Sequence, residues 1–267
     1  MKTWASWEEK DIVYEIIDRE SPDMIPDEEI PLYGTELWSK LSPKEINKIR
    51  GQYASKEICQ LFHGDYGGVK ALERMKENRQ KANLKDDYCD AALDHQIKDE
   101  NKHCTVWKKL IDDNFEWYPV NSHMSEWCQV IQDSSWDDQF LQLQVFAENL
   151  AVTAQHDWSK NLKFKDLKNA LEKIMADESN HVNFGKKILR DHFKELSPEE
   201  LKQKQELANW VYFDVYCNLN QDWFWERIGY PLPPQDQSFM DEVRRKLIPS
   251  LNYVGLDDPV KSFYGGN

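Results

Sequence analysis

The sequence predicts an all-α protein, a four-helix bundle with an N-terminal arm and additional C-terminal helices, and three observations predict it. Apolar residues recur three and four positions apart along most of the chain instead of alternating. Only 10 Gly and 11 Pro interrupt 267 residues with long Lys, Glu, Leu, Ala and Gln-rich tracts, a composition that favours helix over sheet. One helix-start signature occurs twice, as Leu41-Ser42-Pro43-Lys44-Glu45 and as Leu196-Ser197-Pro198-Glu199-Glu200. In each the Ser can cap, the Pro suits the first helical position and the last Glu completes a capping box.

Residues 1–40 hold Pro22, Pro26 and Pro31, which break any long helix, and are expected to lie as an arm on the main body. Residues 41–195 should form the bundle and 196–267 helices packed on it, within a single domain. A first helix runs from 43 to 66 or beyond, striped by Ile46, Ile49, Tyr53 and Leu61. A second spans 85–111, with Leu93, Ile97, Cys104, Trp107 and Ile111. A third covers 135–157, with Phe140, Leu141, Val145 and Val152, and a fourth 165–190, with Leu167, Leu171, Ile174 and Ile188. At about 1.5 Å per residue these rods are roughly 30 to 40 Å long. The segment 112–134, containing Pro119, is long enough to cross the bundle end to end and so joins two antiparallel helix pairs. A fifth helix is expected over 198–228 and a short sixth over 238–248.

Charge and cysteine content exclude several functions. With 34 Lys+Arg against 48 Asp+Glu the net charge is −14, and no basic cluster exists to grip nucleic acid. No run approaches the roughly 18 apolar residues of a membrane span, and the start lacks a signal-peptide apolar core, so a cytoplasmic protein is expected. Cys59, Cys89, Cys104, Cys128 and Cys217 are odd in number and scattered, which fits neither a disulfide framework nor a thiolate zinc site.

The chemistry lies in a paired motif. Asp99-Glu100-Asn101-Lys102-His103 and Asp177-Glu178-Ser179-Asn180-His181 each place a Glu three residues before a His and an Asp before the Glu. For seven histidines in a chain this acidic, chance predicts about 0.06 such matches. Positions i and i+3 share a helix face, so each motif offers one carboxylate oxygen and one imidazole nitrogen to one point. Hard oxygen with borderline nitrogen and no thiolate suits iron or manganese. A dinuclear site needs one more carboxylate from each remaining helix. On the third helix Glu148 stands in an apolar stripe, where an unpaired acid is costly. On the first helix Asp65 fits the level of Glu100 across a turn near 82–84, Glu57 is in phase with Ile49 and Tyr53, and Glu73 is a third candidate. A metal-bound His usually gives its other N–H to a carboxylate or carbonyl, so Asp99 is expected to support His181, and Asp177 to support His103.

Other residues read more plainly. His156, eight residues after Glu148, suits a hydrogen-bonded helix end, with facing the site from two turns away as the alternative, and His63, His95, His123 and His192 suit surface or local hydrogen bonding. The aromatic run Trp210, Tyr212, Phe213, Tyr216, Trp223, Phe224, Trp225 and Tyr230 reads as core packing, with a pocket roof or a homodimer face as the alternatives. Trp107, one turn after His103, reads as packing or as a neighbour of the site.

The order acid, Glu-x-x-His, Glu, Glu-x-x-His on four successive helices resembles the ferritin-like diiron-carboxylate oxygenases and oxidases. The resemblance covers residues 41–190. The Asp before each Glu-x-x-His is similar to the hydroxylase and oxidase branches, and Pro31-Leu32-Tyr33-Gly34-Thr35-Glu36-Leu37-Trp38 resembles the entry to arylamine N-oxygenases. Those enzymes carry a further His one turn before the last Glu. Ile174 stands there in this chain, leaving six ligands, more like hydroxylases, desaturases and aldehyde-deformylating oxygenases. The resemblance implies a ferritin-like bundle and two Fe ions (Fe2+/Fe3+), or manganese with iron. It also implies O2 as co-substrate, oxidation of a small organic molecule, and a separate ferredoxin or flavin reductase as electron donor. Its rival is a ferroxidase or an iron-storage or scaffold bundle without an organic substrate, which would be expected to assemble into a large cage.

Overall fold

The computed structural model describes residues 7–84, 86–219, 222–233 and 237–264. Among them there is no strand; ten α-helices and several short 3-10 and π turns account for the regular structure. α1 (Pro43–Lys81) starts with the expected capping box, Ser42 accepting from the Glu45 N–H while the Glu45 carboxylate accepts from that of Ser42. It runs straight through Gly67-Gly68 and stops at a turn where Asn83 takes φ 56°, a left-handed conformation that Asn tolerates. α2 (Asp87–Asn114) begins on Asp86, which accepts from the N–H groups of Tyr88 and Cys89, and runs back along α1.

The crossover contains a helix of its own. α3 (Ser122–Asp133) is capped by Asn121 and lies along α1, with Gly67 so close that a Cβ there would meet Cys128 Sγ at 2.7 Å. α4 (Trp136–Phe140), a π-helical stretch Leu141–Ala147, and α5 (Glu148–Asn161) follow as one rod. α6 (Lys165–Phe193) packs along α5 and completes the bundle.

After α7 (Pro198–Trp210), which carries the second capping box, the expected single helix over 198–228 does not continue. The chain passes through a π turn, Val211–Val215, and a 3-10 turn, Tyr216–Asn218, before α8 (Asp222–Arg227). Side-chain burial outweighs helical continuity here: Tyr216 is buried against Phe146 and donates its hydroxyl to the Phe146 carbonyl, drawing the segment onto the bundle. α9 (Gln237–Val254) extends beyond the expected 238–248, and α10 (Pro259–Tyr264) ends the described chain.

Two apolar clusters fill the ends of the bundle. At one end the arm buries Ile12, Ile17, Met24, Ile30 and Leu32 against Ile49 and Ile58 of α1, Trp107 of α2 and Leu171 of α6. Each such side chain contributes about 1.5–3 kcal/mol by leaving water, and buried Arg50 fastens the arm by donating to the Ile25 carbonyl at 2.8 Å and the Glu20 carbonyl at 2.7 Å. At the other end Leu72, Leu93, Phe140 and Phe184 meet the C-terminal Val211, Val243 and Leu247. The polar residues discussed next lie between these two plugs. No helix among the described residues is long and apolar enough to cross a membrane.

Candidate metal centre

All four long rods send acids to the bundle axis at one level. α1 supplies Asp65, α2 Glu100 and His103, α5 Glu148, and α6 Glu178 and His181; all six are buried. On α2 and α6 the three-residue spacing stacks Glu and His on one face. On the third rod the register is set by the π stretch, a widened turn of a kind that often sits at functional sites. It ends at Glu148 and brings Gln144 inward as well. Room for it comes from Gly185 of α6, where a Cβ would stand 2.1 Å from that of Gln144.

The two carboxylates of the paired motif each face both histidines. His103 Nδ1 lies 3.3 Å from Glu178 Oε1, 3.5 Å from Glu100 Oε2 and 3.8 Å from Asp65 Oδ2. His181 Nδ1 lies 2.9 Å from Glu178 Oε2, 3.2 Å from Glu100 Oε1 and 3.7 Å from Glu148 Oε1. Glu100 and Glu178 thus turn one oxygen to each imidazole, and the ring centroids are 6.3 Å apart. Two sets of potential ligands result, Asp65–Glu100–His103–Glu178 and Glu100–Glu148–Glu178–His181, in each of which the donor atoms lie within 4.8 Å of one another.

A ring of partners holds these side chains. The outward Nε2 of His103 lies 3.2 Å from Asp177 Oδ2, and that of His181 lies 3.5 Å from Asp99 Oδ2. Each Asp therefore stands behind the His of the opposite motif. Lys102 bridges the two, 2.9 Å from Asp99 and 3.2 Å from Asp177. Trp7 of the arm donates its indole N–H to Asp177 at 2.8 Å and stacks on the His103 ring, while Trp107 donates to Asp65 at 2.7 Å. Gln96 donates to Glu148 at 2.8 Å and accepts from Gln144 at 2.6 Å.

Charge in this core is unbalanced. Six buried carboxyls, Asp65, Asp99, Glu100, Glu148, Asp177 and Glu178, have one ammonium among them, that of Lys102. Burial and the charges of Glu100 and Glu178 push the Asp65 carboxyl well above the usual carboxylate range. Burial, Glu178 and Glu100 do the same to Glu148. Burial opposes charge on both imidazoles, yet the surrounding carboxylates raise them well above the ordinary histidine range. Burial likewise opposes ionisation of Glu178, but His103 and His181 outweigh it and hold that carboxyl low. Asp99 is held at about 2, its burial outweighed by His181 and Lys102.

No protein-family model matches the chain, and no curated protein or solved structure is detectably similar to it. The site is therefore read from its own geometry.

Of the first-helix candidates, Asp65 faces the cluster. Glu57 does not: eight residues earlier on α1, it is partly exposed and pairs with Lys56 at 2.6 Å. Glu73 is exposed, because its phase on α1 points it outward. His156 is half-buried beside Asp157 at 3.5 Å, away from the cluster. His95, read as a local hydrogen-bonding group, contacts Asp99 at 2.9 Å from the preceding turn. Sequence reasoning missed Gln96, Gln144, Lys102 and Trp7. The first and third had a signal, since Gln96 precedes Glu100 by four and Lys102 follows Asp99 by three, both same-face spacings. Trp7 had none, being brought in by the arm.

Beside the cluster lies a cavity of about 1110 Å3, bordered by Asp65, Glu100 and Glu148 and walled by apolar and polar side chains of the arm, α1, α3, α5 and α9. Tyr216 and Trp225 of the aromatic run line it, while buried Phe224 packs against Trp225.

Proposed function

We propose that this core holds two transition-metal ions, iron or manganese with iron, and that the protein is a ferritin-like diiron-carboxylate oxygenase or oxidase acting on a small organic substrate. The observation that carries the reading is the splitting of the Glu100 and Glu178 oxygens between two imidazoles, which yields two overlapping ligand sets. Asp65 and His103 would complete one position, Glu148 and His181 the other, with Glu100 and Glu178 common to both. The residues fit such a pair. His103 Nδ1 and Glu178 Oε1 are buried without a hydrogen-bond partner, a costly state that metal ligation relieves. The surplus of buried carboxyls is what two divalent cations would offset.

When bound, ferrous ions at such a site supply the electrons that reduce O2 for oxidation of the substrate. The chain's own residues set the conditions for that chemistry. Asp177 and Asp99 fix the rings of His103 and His181 so that Nδ1 points inward. Gln96 holds one oxygen of Glu148, and Trp107 one of Asp65. The apolar plugs at both ends exclude water, and the cavity gives an organic molecule access to the cluster. That cavity favours an organic substrate over simple iron oxidation. The chain contains no Gly-rich dinucleotide turn and no four-cysteine iron–sulfur motif, so a ferredoxin or flavin reductase is the expected donor. Unbridged cysteines suit the reducing cytoplasm.

Anaerobic titration with ferrous iron tests the proposal. Two ions per chain are expected, and Glu148→Ala should lose at least one. An unchanged stoichiometry in that variant, or less than one ion per wild-type chain, overturns it. Mixing the loaded protein with O2 and candidate substrates would then identify the one that speeds decay of a visible absorption.

A further inference from the structure

The cavity is long, and its two ends differ. Its wall on α1 runs from Tyr53 to Ala71, about 27 Å at 1.5 Å per residue. Asp65 and Glu148 border it part-way along, so it continues past the cluster to Ala71 and Leu143. The slot exists because α1 packs against α4 and the π stretch but draws away from α5. Facing residues there are small: Gly64 and Gly68 on α1, Ala147 at the end of the π stretch and Ala151 on α5. A Cβ at Gly64 or Gly68 would meet nothing within 4 Å. The blind end, made by Ala71, Ile131 and Leu143, offers no charge to an occupant.

The mouth is acidic and aromatic. Each basic side chain on the lining already has an acid: Lys56 pairs with Glu57 at 2.6 Å, Lys160 with Asp157 at 2.7 Å and Arg245 with Glu242 at 2.6 Å. Glu28, Glu29 and Asp241 also line it and are not ion-paired among the described residues. Glu29 and Asp241 accept from the neutral amides of Asn161 and Gln237, and the cations nearest them, Lys160 and Arg244, act on them only beyond ion-pair distance. Trp158 and Trp225 stand on the same lining. Acids beside aromatic faces recognise ammonium groups and repel carboxylates. Asn161 is 13 residues from Glu148 on α5, so the mouth lies about 20 Å along the rod from the cluster.

We infer that the occupant of this cavity is an elongated, apolar molecule with a cationic head. The ammonium group rests among Glu28, Glu29 and Asp241, the body runs along the Gly64–Gly68 strip, and an internal carbon of the body lies beside Asp65 and Glu148. As a substrate it rests on the oxygenase reading above; as a ligand it does not, and its binding is measurable without metal.

Isothermal titration of the metal-free full chain with tetradecyltrimethylammonium and with myristate, each below its micelle concentration, tests the inference. The ammonium probe should bind at least tenfold tighter than the carboxylate. Gly64→Leu, which fills the slot, should weaken the ammonium probe at least tenfold while leaving Tm unchanged or higher, since Leu replaces Gly inside a helix. Glu28→Gln combined with Asp241→Asn should narrow the preference between the probes. Equal or tighter binding of myristate, binding of neither probe, or an undiminished affinity in Gly64→Leu overturns the inference. Failure of the metal reading would show instead in the iron stoichiometry, which this titration does not touch.

Discussion

Two of the places where the bundle buries charge treat it in opposite ways. Towards the Phe140 end, Asp137 is buried but matched: Lys204 stands 2.7 Å away, Ser135 donates at 2.6 Å, and His192 lies at 3.4 Å. One acid there has a cation and a hydroxyl, and burial of its carboxyl is outweighed by hydrogen bonds from His192, Lys204 and Ser135, which hold it well below its ordinary range. At the centre, six carboxyls share Lys102. The first arrangement is complete as folded and reads as structure. The second is a deficit of positive charge, which natural folding would select against unless something cationic arrives.

Substitutions can sharpen that contrast. The largest effect is expected from Glu178→Ala, because Glu178 belongs to both ligand sets: iron per chain, read by anaerobic ferrous titration, should fall from two towards none. Lys204→Met should act on the other cluster alone. Leaving Asp137 buried without its cation costs about 3–5 kcal/mol, so Tm should drop by roughly 6–20 °C for a chain of this size, with iron stoichiometry unchanged. Gln96→Leu removes the donor to Glu148 but no ligand; iron affinity should weaken roughly 10- to 100-fold at a nearly constant stoichiometry under saturation. The smallest effect concerns pH. Asp137 has a depressed folded-state pKa, so its stabilisation is present above the ordinary carboxylate range and is lost as pH falls towards the depressed value. The Tm gap between the parent and Asp137→Asn should therefore be constant near neutrality and close below about pH 4. A gap that widens on acidification would refute the assignment.

Much of the centre was legible because its ligands obey helical arithmetic. Glu100 and His103, and Glu178 and His181, are fixed on common faces by a spacing visible in the chain, and Asp99 and Asp177 follow from what a bound imidazole needs. Asp65 was reachable only by counting equal distances from a turn, and Glu57 competed with it because local phase carries no information about level. The long rods were legible by period, whereas the helix inside the crossover was not singled out, although Trp127 and Ile131 are four apart and buried. The π stretch and the break after Trp210 were illegible for a different reason. Both depend on partners distant in sequence: Gln144 settles where Gly185 leaves room, and Tyr216 reaches Phe146 across 70 residues. Trp7 belongs with them, since only the path of the arm brings it to Asp177.

The widened turn between Leu141 and Ala147 makes residue count a functional quantity. A π turn holds about one residue more than the α turns around it, so excising one residue there would restore an ordinary α-helix with Glu148 still near the axis, whereas a deletion in regular helix swings everything beyond it by about 100°. Loops at either end of the rods can gain or lose length at little cost. In this stretch a single-codon deletion would remove the widening that turns Gln144 inward and spare the ligand beyond it, a tolerance that no inventory of ligand residues would reveal.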